Sequence, residues 1–427
     1  MNSANWDHAD GKWRIVAEHD GAEIHDEADF LFNCMGQFNN WKWPDIPDRE
    51  SYQGTLMHSA NWDKSYDFQD KKVALIGSGS TAVQLLPKLQ PLAKHIDIYI
   101  RNQMWLSPPF CSDYILEKNP ELADSDFAIF GDLARQFKDP DFYHQYRKGM
   151  EARLNSIHGF TLLDHPVQTL FREFMTKSME TLPPEIRSKI LPTFPPGCRR
   201  VTPDTGFLKA LVQENVTLKS QEIEKFTQTG LDEDDYDAIV CATGYNSFIP
   251  PFPIMGLKGD LRENLPQTYL SVAVGDFPNM LMITGPNSEV GTGHSMIVFE
   301  KVADYAVKCV AKAQFEHIKS MTPSATAVSD FMTYLNTYFT NGRTVYGEKC
   351  RSTYRSGNTE GPSTALWPGS VLHLLRTLQE PRWQDYDYEY LNKDCMFGYL
   401  GNGWTDVELK GGDTAYYLDD IDIPALN

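Results

Sequence analysis

The segment Val73-Ala-Leu-Ile-Gly77-Ser-Gly79-Ser-Thr-Ala82-Val-Gln-Leu-Leu86 decides the fold. It consists of a short apolar strand, a G-x-G-x-x-A turn and the apolar start of a helix. In such a turn the first glycine allows the tight bend, the second lets a pyrophosphate reach the backbone, and the alanine lets the helix pack closely on the strand. The free N–H groups at the helix amino end would face the phosphates. The segment therefore predicts a Rossmann-like α/β domain that binds a dinucleotide.

The next apolar strand indicates which dinucleotide is bound. It runs His95-Ile-Asp-Ile-Tyr-Ile-Arg101, and it ends in Arg101 where a site for NAD usually carries Asp or Glu. A guanidinium group at this point favours the 2′-phosphate of NADP, and Asn102 follows it directly. An isolated Arg at the end of a strand is more often a solvated charge. Its spacing from the glycine turn makes NADP the better interpretation.

A second pair of cations stands in the stiff loop Pro195-Pro-Gly-Cys-Arg199-Arg200-Val-Thr-Pro. Neighbouring side chains on an extended segment point to opposite sides, so one of the two can bind a phosphate while the other faces a different site. The alternative is that both form ordinary ion pairs with surface carboxylates, because carboxylates are in excess in this chain.

The composition excludes several classes of function. The chain has 427 residues, 39 Lys and Arg against 58 Asp and Glu, and a net charge of −19. This length is enough for two or three hydrophobic cores. Nucleic acid is excluded as a partner because no block of basic residues is present. The first residues are polar and acidic, and no apolar run reaches the length of a membrane span. We therefore expect no transmembrane segment and a cytoplasmic protein.

The cysteines predict reduced thiols. The chain has seven of them, an odd number in a long sequence, and none forms a C-x-x-C pair. This pattern favours neither a disulfide framework nor a zinc site, and no other metal site is predicted.

Apolar patterns divide the chain into five segments. A hairpin is predicted from 12–17 and 23–26, and a strand buried on both faces within 28–36. Helices are expected near 295–315 and 325–339. The predicted segments are a first sheet unit with its linker (1–70), the nucleotide-binding unit (71–104), an α-helical insertion (105–195), the continued nucleotide domain (196–245), and a carboxyl-terminal part (246–427).

The segment before the glycine turn carries a family resemblance. Tyr52-Gln-Gly54-Thr-Leu-Met-His58-Ser-Ala-Asn-Trp62-Asp63 is similar to the signature F-x-G-x-x-x-H-x-x-x-W-[P/D] of the Baeyer-Villiger type of flavin-dependent monooxygenases, with Tyr52 replacing Phe. The resemblance continues over essentially the whole chain, through IRNQMW (100–105), PPGCRRVTPDTGF (195–207), CATGY (241–245), FPNMLMITGPNS (277–288) and ALWPGSVLH (365–373).

This resemblance implies an activity and a role for each motif. NADPH would reduce FAD, and one oxygen atom of O2 would be inserted into a small-molecule ketone to give an ester or lactone, in fungal secondary metabolism. Arg200 is the implied catalytic cation, because a fixed guanidinium group stabilises developing negative charge. The implied cofactor-binding residues are Gly77, Ser78, Gly79, Ser80, Thr81 and Ala82 for the pyrophosphate, Arg101, Asn102 and Arg199 for the nucleotide tail, and His58 and Trp62 as hinge residues.

The sequence departs from the family in the flavin domain. Members resemble two dinucleotide folds in one chain, and the first binds FAD through its own G-x-G-x-x-G, which is missing here. The resemblance makes 1–70 the remnant of the FAD-binding domain with its linker, and 246–427 the carboxyl-terminal part of that domain with a substrate-side tail. The family's segments beside the flavin ring, 33–36 and 283–288, are present, but the strand around Leu31 would have an unpaired edge. A shortened sequence, a partner chain that supplies the missing FAD unit, or a protein that no longer oxidises would each explain this.

Two alternative functions stay open at this point. One is a related flavin monooxygenase that oxidises heteroatoms, although Trp62-Asp63 favours the ketone-oxidising branch. The other is a truncated, non-catalytic NADP-binding protein. A further departure from the family is Thr353 in Ser352-Thr353-Tyr354, where the family often has Trp, and this leaves the substrate open.

Overall fold

A computed structural model of the chain describes residues 1–108, 136–263 and 267–418. The strands are numbered in chain order. They are β1 (Ser3–Asp7), β2 (Lys12–His19), β3 (Ala22–Ala28), β4 (Leu31–Asn33), β5 (Thr55–His58), β6 (Lys72–Ile76), β7 (His95–Tyr99), β8 (Leu106–Ser107), β9 (Thr202–Pro203), β10 (Val216–Lys219), β11 (Gly230–Leu231), β12 (Asp234–Asp235), β13 (Ala238–Cys241), β14 (Ile254–Met255), β15 (Thr268–Tyr269), β16 (Ala273–Val274), β17 (Met280–Met282), β18 (Ile318–Pro323) and β19 (Tyr386–Tyr390).

The α-helices of the described residues are numbered in the same way. They are α1 (Ser80–Leu89), α2 (Pro140–Ser156), α3 (Val167–Ser178), α4 (Pro184–Ile190), α5 (Phe207–Leu211), α6 (Ser295–Phe315), α7 (Ala325–Thr340), α8 (Val371–Thr377) and α9 (Asp406–Leu409). The helix predicted near 295–315 has these same bounds, and the hairpin predicted from residues 12–26 is formed by β2 and β3. The predicted helical pattern within 126–135 lies outside the described residues.

A five-stranded parallel sheet carries the glycine turn. Its strand order is β10-β7-β6-β13-β5, and every neighbouring pair is parallel. Strands buried on both faces need continuous apolar runs, which Val73 to Ile76 and β13 supply. In such a sheet the ligand binds at the carboxyl ends of the strands, where the strand order reverses. The predicted α/β class and its Rossmann-like domain are confirmed.

The domain boundary predicted near residue 70 divides this sheet. Strand β5 lies within the segment assigned to the flavin-domain remnant and its linker, yet it pairs with β13 at the sheet edge. The helical insertion packs on the same domain, because Phe160, Met175 and Ile190 belong to one apolar cluster with Val73 and Leu86.

Strands near the amino terminus pair with strands of residues 254–282 in a second group of sheets. Strand β14 pairs with β1 of the amino-terminal hairpin, and β4 pairs in parallel with β17. The core between them includes Ala4, Trp13 and Met280. The indole N–H of Trp13 donates to the carbonyl of Pro278 at 3.0 Å. Residues near the amino terminus thus share a domain with residues beyond 250.

Strand β4 lies at the edge of its sheet, whose order is β15-β16-β17-β4. The expected unpaired edge at Leu31 is therefore confirmed. The expectation of a strand buried on both faces is wrong at Phe32, whose exposed fraction is 44%. An apolar run predicts burial only where neighbours cover it, and among the described residues β4 has a neighbouring strand on one side alone.

Among residues 1–108, 136–263 and 267–418, no helix is long and apolar enough to cross a membrane. No group of three or more His, Cys, Asp or Glu side chains in the same ranges is placed to hold a metal ion.

Candidate active site

The glycine turn follows β6 and begins α1. Gly77 has φ +141°, and a Cβ there would lie 2.5 Å from the carbonyl oxygen of Ala242. Its N–H donates to the carbonyl of Tyr99 at 3.1 Å, which joins the turn to β7. Only glycine satisfies both the backbone angle and the close approach of β13. Ala82 is fully buried in the core beneath the helix, as the motif predicts.

Gly79 differs from Gly77 because it faces open space. A Cβ built on Gly79 meets no atom within 4 Å, and its φ of −87° is accessible to any residue. Gly79 is also the N-cap of α1, and no side chain caps the helix there. The first N–H groups of α1, at Ser80, Thr81 and Ala82, are therefore open toward this space. This geometry fits a pyrophosphate, and Ser78 and Thr81 border it with half-buried side chains.

A hydrogen bond connects the turn to the loop of the two adjacent cations. The hydroxyl oxygens of Ser80 and Thr202 are 2.8 Å apart. Thr202 begins β9, two residues after Arg200, and β9 pairs with β8 of the chain that follows β7. The loop at 195–203 is thus positioned on the nucleotide domain by a direct contact with the glycine turn.

Arg199 and Arg101 line one cavity of about 450 Å³. Asn102 lies on its wall as well, and the guanidinium group of Arg199 donates to the carbonyl of Gln103 at 2.7 Å. Burial lowers the pKa of Arg199, and the charge of Arg351 lowers it further. The structure therefore brings Arg101, Asn102 and Arg199 together beyond β7, where the sequence predicted the nucleotide tail.

Arg200 faces a different group of residues. Its charge acts on Glu289 and on the hydroxyl of Tyr354, in each case opposing the effect of burial, which raises the pKa of both groups. The backbone of Glu289 is fixed by two hydrogen bonds, from its N–H to Ala365 at 2.9 Å and from the N–H of Trp367 at 2.7 Å. The two adjacent cations therefore serve separate environments, as the extended loop predicted.

His58 lies in an aromatic cage at the end of β5. Its ring stacks on Trp41 with centroids 4.8 Å apart, and Trp43 and Tyr245 approach it edge-on. The N–H of Ala60 donates to Nδ1 at 3.1 Å. Burial lowers the pKa of His58, and a hydrogen bond to the backbone of Gly244 opposes this only in part, so the ring is neutral.

Trp62 is separate from this cage. Its ring stacks on Phe68 with centroids 5.4 Å apart, and it packs against the core of the nucleotide domain. His58 thus ends β5, and Trp62 lies four residues later, within the segment that joins β5 to the glycine-turn strand. Their conformational role stays a prediction.

The two segments expected beside a flavin ring lie next to each other. The N–H of Ile283 donates to the carbonyl of Asn33 at 3.0 Å, and Gly36 has φ +71° with Thr284 at its side. The residues present thus fit the ring end of a flavin. The edge beyond β4, where a second glycine fingerprint would belong, is not filled by any strand of the described residues.

The prediction of reduced thiols is wrong at two positions. Cys198 and Cys350 form a disulfide, while Cys34, Cys241, Cys309 and Cys395 are free. An odd number of cysteines excludes a structure in which every cysteine is paired, but it does not exclude a single disulfide. The residues are 152 apart in sequence, so no local spacing pattern could reveal them. Cys111 lies outside the described residues.

Further residues of the site were missed by sequence reasoning. They are Lys189, Lys349 and Arg351 in the cavity of Arg199, and Glu289 and Tyr354 beside Arg200. One signal was visible: Cys198-Arg199 and Cys350-Arg351 repeat the same dipeptide.

The glycine turn, the open start of α1 and the parallel sheet define an α/β protein of the dinucleotide-binding fold. Residues 3–113 match the family model described as "Flavin-binding monooxygenase-like". The FAD-binding monooxygenase tazF of Aspergillus terreus is 36% identical over 97% of this chain and 76% of its own length. A Baeyer-Villiger monooxygenase of Pseudomonas aeruginosa is 27% identical over 85% of this chain and 68% of its own.

The fold agrees with a solved structure, the OTEMO complex with FAD and NADP. It superimposes with a TM-score of 0.71 at 19% identity, over 91% of this chain and 80% of that one. The chain belongs to the flavin-binding monooxygenase family and is an enzyme, and a Baeyer-Villiger monooxygenase is among its relatives.

Proposed function

We propose that this protein is an NADPH- and FAD-dependent monooxygenase that inserts one oxygen atom of O2 into a small-molecule ketone. The observation that carries the proposal is the separation of the two adjacent cations, with Arg199 in the cavity of Arg101 and Arg200 beside Glu289 and Tyr354. The proposed reaction needs one cation that binds the 2′-phosphate of NADPH and a second cation that stabilises negative charge on the reacting oxygens. This loop supplies them from consecutive positions.

The nucleotide residues fit NADPH. The open space at Gly79 and the uncapped start of α1 accept a pyrophosphate, and Arg101 with Arg199 neutralises a 2′-phosphate. Guanidinium groups suit the phosphate because they bind it through two N–H groups at once. NADPH is therefore favoured over NADH.

Bound flavin would supply the transfer of electrons to O2 and of one oxygen atom to the substrate. Residues 33–36 and 283–288 would border its ring. Arg200 would stabilise the negative charge that develops on the reacting oxygens, as a fixed guanidinium group does. Glu289 and Tyr354 would hold the guanidinium group in place. His58, neutral in its aromatic cage, would contribute packing rather than proton transfer.

FAD binding by this arrangement needs one further element. A flavin domain has its glycine fingerprint on a strand of its own, and the free edge of β4 is where such a strand can pair. We propose that a segment or partner chain with this fingerprint pairs with β4. The chain spans 76% of tazF, so the relative has residues for such a segment.

The biological setting is also a proposal. The relative tazF belongs to the fungus Aspergillus terreus, which supports a role in fungal secondary metabolism. The high aromatic content, 12% of the residues, favours a bulky apolar ketone as substrate.

The test begins with flavin retention. The purified chain is mixed with FAD and passed over a gel-filtration column, and bound flavin is detected by its resolved visible bands. The complex is then given NADPH and isotopically labelled O2 with a cyclic ketone or with a thioether. A labelled ester or lactone supports the proposal. A labelled sulfoxide with no ester indicates the heteroatom-oxidising alternative. A chain that binds NADPH but retains no FAD, even when a segment with the glycine fingerprint is supplied, indicates the non-catalytic one.

A further inference from the structure

The cavity that contains Arg199 is strongly cationic. Five of its lining residues carry a positive charge, and none of its lining residues is a carboxylate. These cations come from three separate parts of the chain, namely Arg101, Lys189, Arg199, Lys349 and Arg351. Such a concentration of one sign is unexpected in a chain of net charge −19. Like charges brought together in a concave site favour an anionic ligand.

Two of these cations have partners among the described residues, and the other three, Lys189 included, have none. Lys349 forms an ion pair with Glu360 at 2.7 Å, and Arg199 donates to the carbonyl of Gln103. Arg101 and Arg351 have exposed side chains and make no hydrogen bond or ion pair to the described residues. Arg351 and Arg199 line the same cavity, and the charge of Arg351 acts directly on Arg199.

A covalent link fixes the walls of this cavity. The disulfide joins Cys198 to Cys350, the residues directly before Arg199 and Arg351, with their Cα atoms 6.4 Å apart. Both cysteines are buried. The tail loop is closed further by Arg355, whose guanidinium group donates to the carbonyls of Glu348 and Thr359 at 2.9 and 3.0 Å. The loop that carries Arg351 is therefore held in one position against the nucleotide domain.

We propose that Arg351, in the carboxyl-terminal tail, is a further ligand of the nucleotide 2′-phosphate and a determinant of NADPH specificity, and that the Cys198–Cys350 disulfide positions it opposite Arg199. The inference rests on the proposed use of NADPH but requires no flavin chemistry. The resemblance places the tail on the substrate side. The inference gives the tail a contact with the bound nucleotide as well.

The geometry gives each residue a distinct part. Arg101 and Arg199 reach the phosphate from the nucleotide domain, while Arg351 reaches it from the tail. A phosphate offers three acceptor oxygens, enough for three guanidinium groups. NADH lacks this phosphate, so with NADH the cations would remain unneutralised. The tail cation thereby increases the discrimination between the two nucleotides.

The test measures nucleotide fragments, so its outcome does not depend on flavin. Calorimetry compares adenosine 2′,5′-bisphosphate with adenosine 5′-phosphate on the wild type, Arg351→Gln and Arg351→Lys. Arg351→Gln is expected to weaken the bisphosphate about 10-fold to 100-fold and leave the 5′-phosphate unchanged. Arg351→Lys should restore part of the loss. Lys393→Gln, which removes an exposed charge elsewhere in the tail, is the matched control and should bind like the wild type.

Cys350→Ser tests the positioning role. Loss of the disulfide should weaken the bisphosphate in the same selective way, and Arg351→Gln should then have a smaller additional effect. Equal affinity of wild type and Arg351→Gln for the bisphosphate would overturn the inference, as would a wild type that does not bind the bisphosphate. Selective binding in a chain that retains no FAD, even with a segment that carries the glycine fingerprint, would leave the inference in place and contradict the proposed function alone.

Discussion

The hydroxyl oxygens of Ser80 and Thr202 lie 2.8 Å apart, and this contact joins the glycine turn to the loop of Arg199 and Arg200. One residue belongs to the first turn of the helix that faces the pyrophosphate, and the other to the strand that follows the two cations. Besides the pairing of β9 with β8, this hydrogen bond between side chains 122 residues apart in sequence therefore fixes the cation loop relative to the proposed pyrophosphate site.

Removing this hydrogen bond should affect nucleotide binding more than turnover. We expect Thr202→Val to raise the KM for NADPH several-fold and to lower the free energy of unfolding by about 1 kcal/mol, the usual contribution of such a bond. Ser80→Ala should have a similar effect. A double-mutant cycle on the two positions should give a coupling energy close to that of either single variant. Additive effects of the two substitutions would show that the contact carries no energy.

The two glycines of the turn should respond differently to the same substitution. Gly77→Ala places a Cβ against the carbonyl of Ala242 at an unfavourable φ, so it should destabilise the fold by about 2 kcal/mol. Gly79→Ala meets no atom and keeps an ordinary φ, so the melting temperature should hardly change. Its methyl group would occupy the space of the pyrophosphate, and NADPH binding should be lost.

Thermal unfolding and nucleotide titration of both glycine variants check this pair. The interpretation of the turn requires a stability loss at Gly77 and a binding loss at Gly79. A Gly79→Ala variant that binds NADPH as tightly as the wild type would remove the pyrophosphate from this position.

The turn and the long helix could be predicted because their determinants are local. Gly77, Gly79 and Ala82 lie within six consecutive residues, and the apolar face of α6 repeats along one continuous segment. The parallel strands β6 and β7 belong to the same local strand-helix-strand unit, whereas the place of β13 beside β6 was not predicted.

The tail's part in the site could not be predicted for the opposite reason. Arg351 reaches the cavity of Arg199 because a disulfide joins positions 152 residues apart, and no periodicity records that distance. The exposure of Phe32 could not be predicted either. An apolar run predicts a buried strand, but it does not indicate which face of the sheet other residues cover. The sequence places strand β5 in the segment with the linker, because no local feature of its short run, Thr55–His58, indicates which sheet it joins.

The adjacent cations should separate kinetically. Arg200→Ala should lower product formation about 100-fold or more, as expected for loss of a group that stabilises charge in the transition state. NADPH should still be consumed, because that step involves the nucleotide site. Arg199→Ala should instead raise the KM for NADPH with a smaller effect on kcat. Product yield and NADPH consumption are measured in parallel on both variants. Loss of product only in Arg199→Ala would assign the two roles the other way round.

Glu289 should make the stability of the fold depend on pH. Burial raises the pKa of its carboxyl group above the ordinary value, and the charge of Arg200 lowers it in part. A group whose pKa is raised in the folded state binds its proton more tightly there than in the unfolded chain. Its contribution to stability is therefore complete below the unfolded value and is lost as the pH rises through the folded one.

The variant Glu289→Gln removes this titration. We expect its free energy of unfolding, measured by denaturant titration at a series of pH values, to change less on going from acid to neutral pH than that of the wild type. Arg200→Ala should have the opposite effect, since the cation that favours the charged carboxylate is gone. Parallel stability curves for wild type and Glu289→Gln would show that the carboxyl group is not buried in this way.

The six cysteines of the described residues should fall into three groups of reactivity. One of these groups tests the disulfide. Cys34 and Cys395 are exposed and should be alkylated in the native protein, whereas burial raises the pKa of Cys241 and Cys309 to about 12, so they should react only after unfolding. Cys198 and Cys350 should resist alkylation even in denaturant until a reductant is added, and a linked peptide should appear in non-reducing mass spectrometry. Since the bond closes a loop of about 150 residues, its removal in Cys350→Ser should lower the free energy of unfolding by about 2–4 kcal/mol. Alkylation of Cys350 in the unreduced, unfolded wild type would exclude the disulfide, and Arg351 would then lose the link that holds it opposite Arg199.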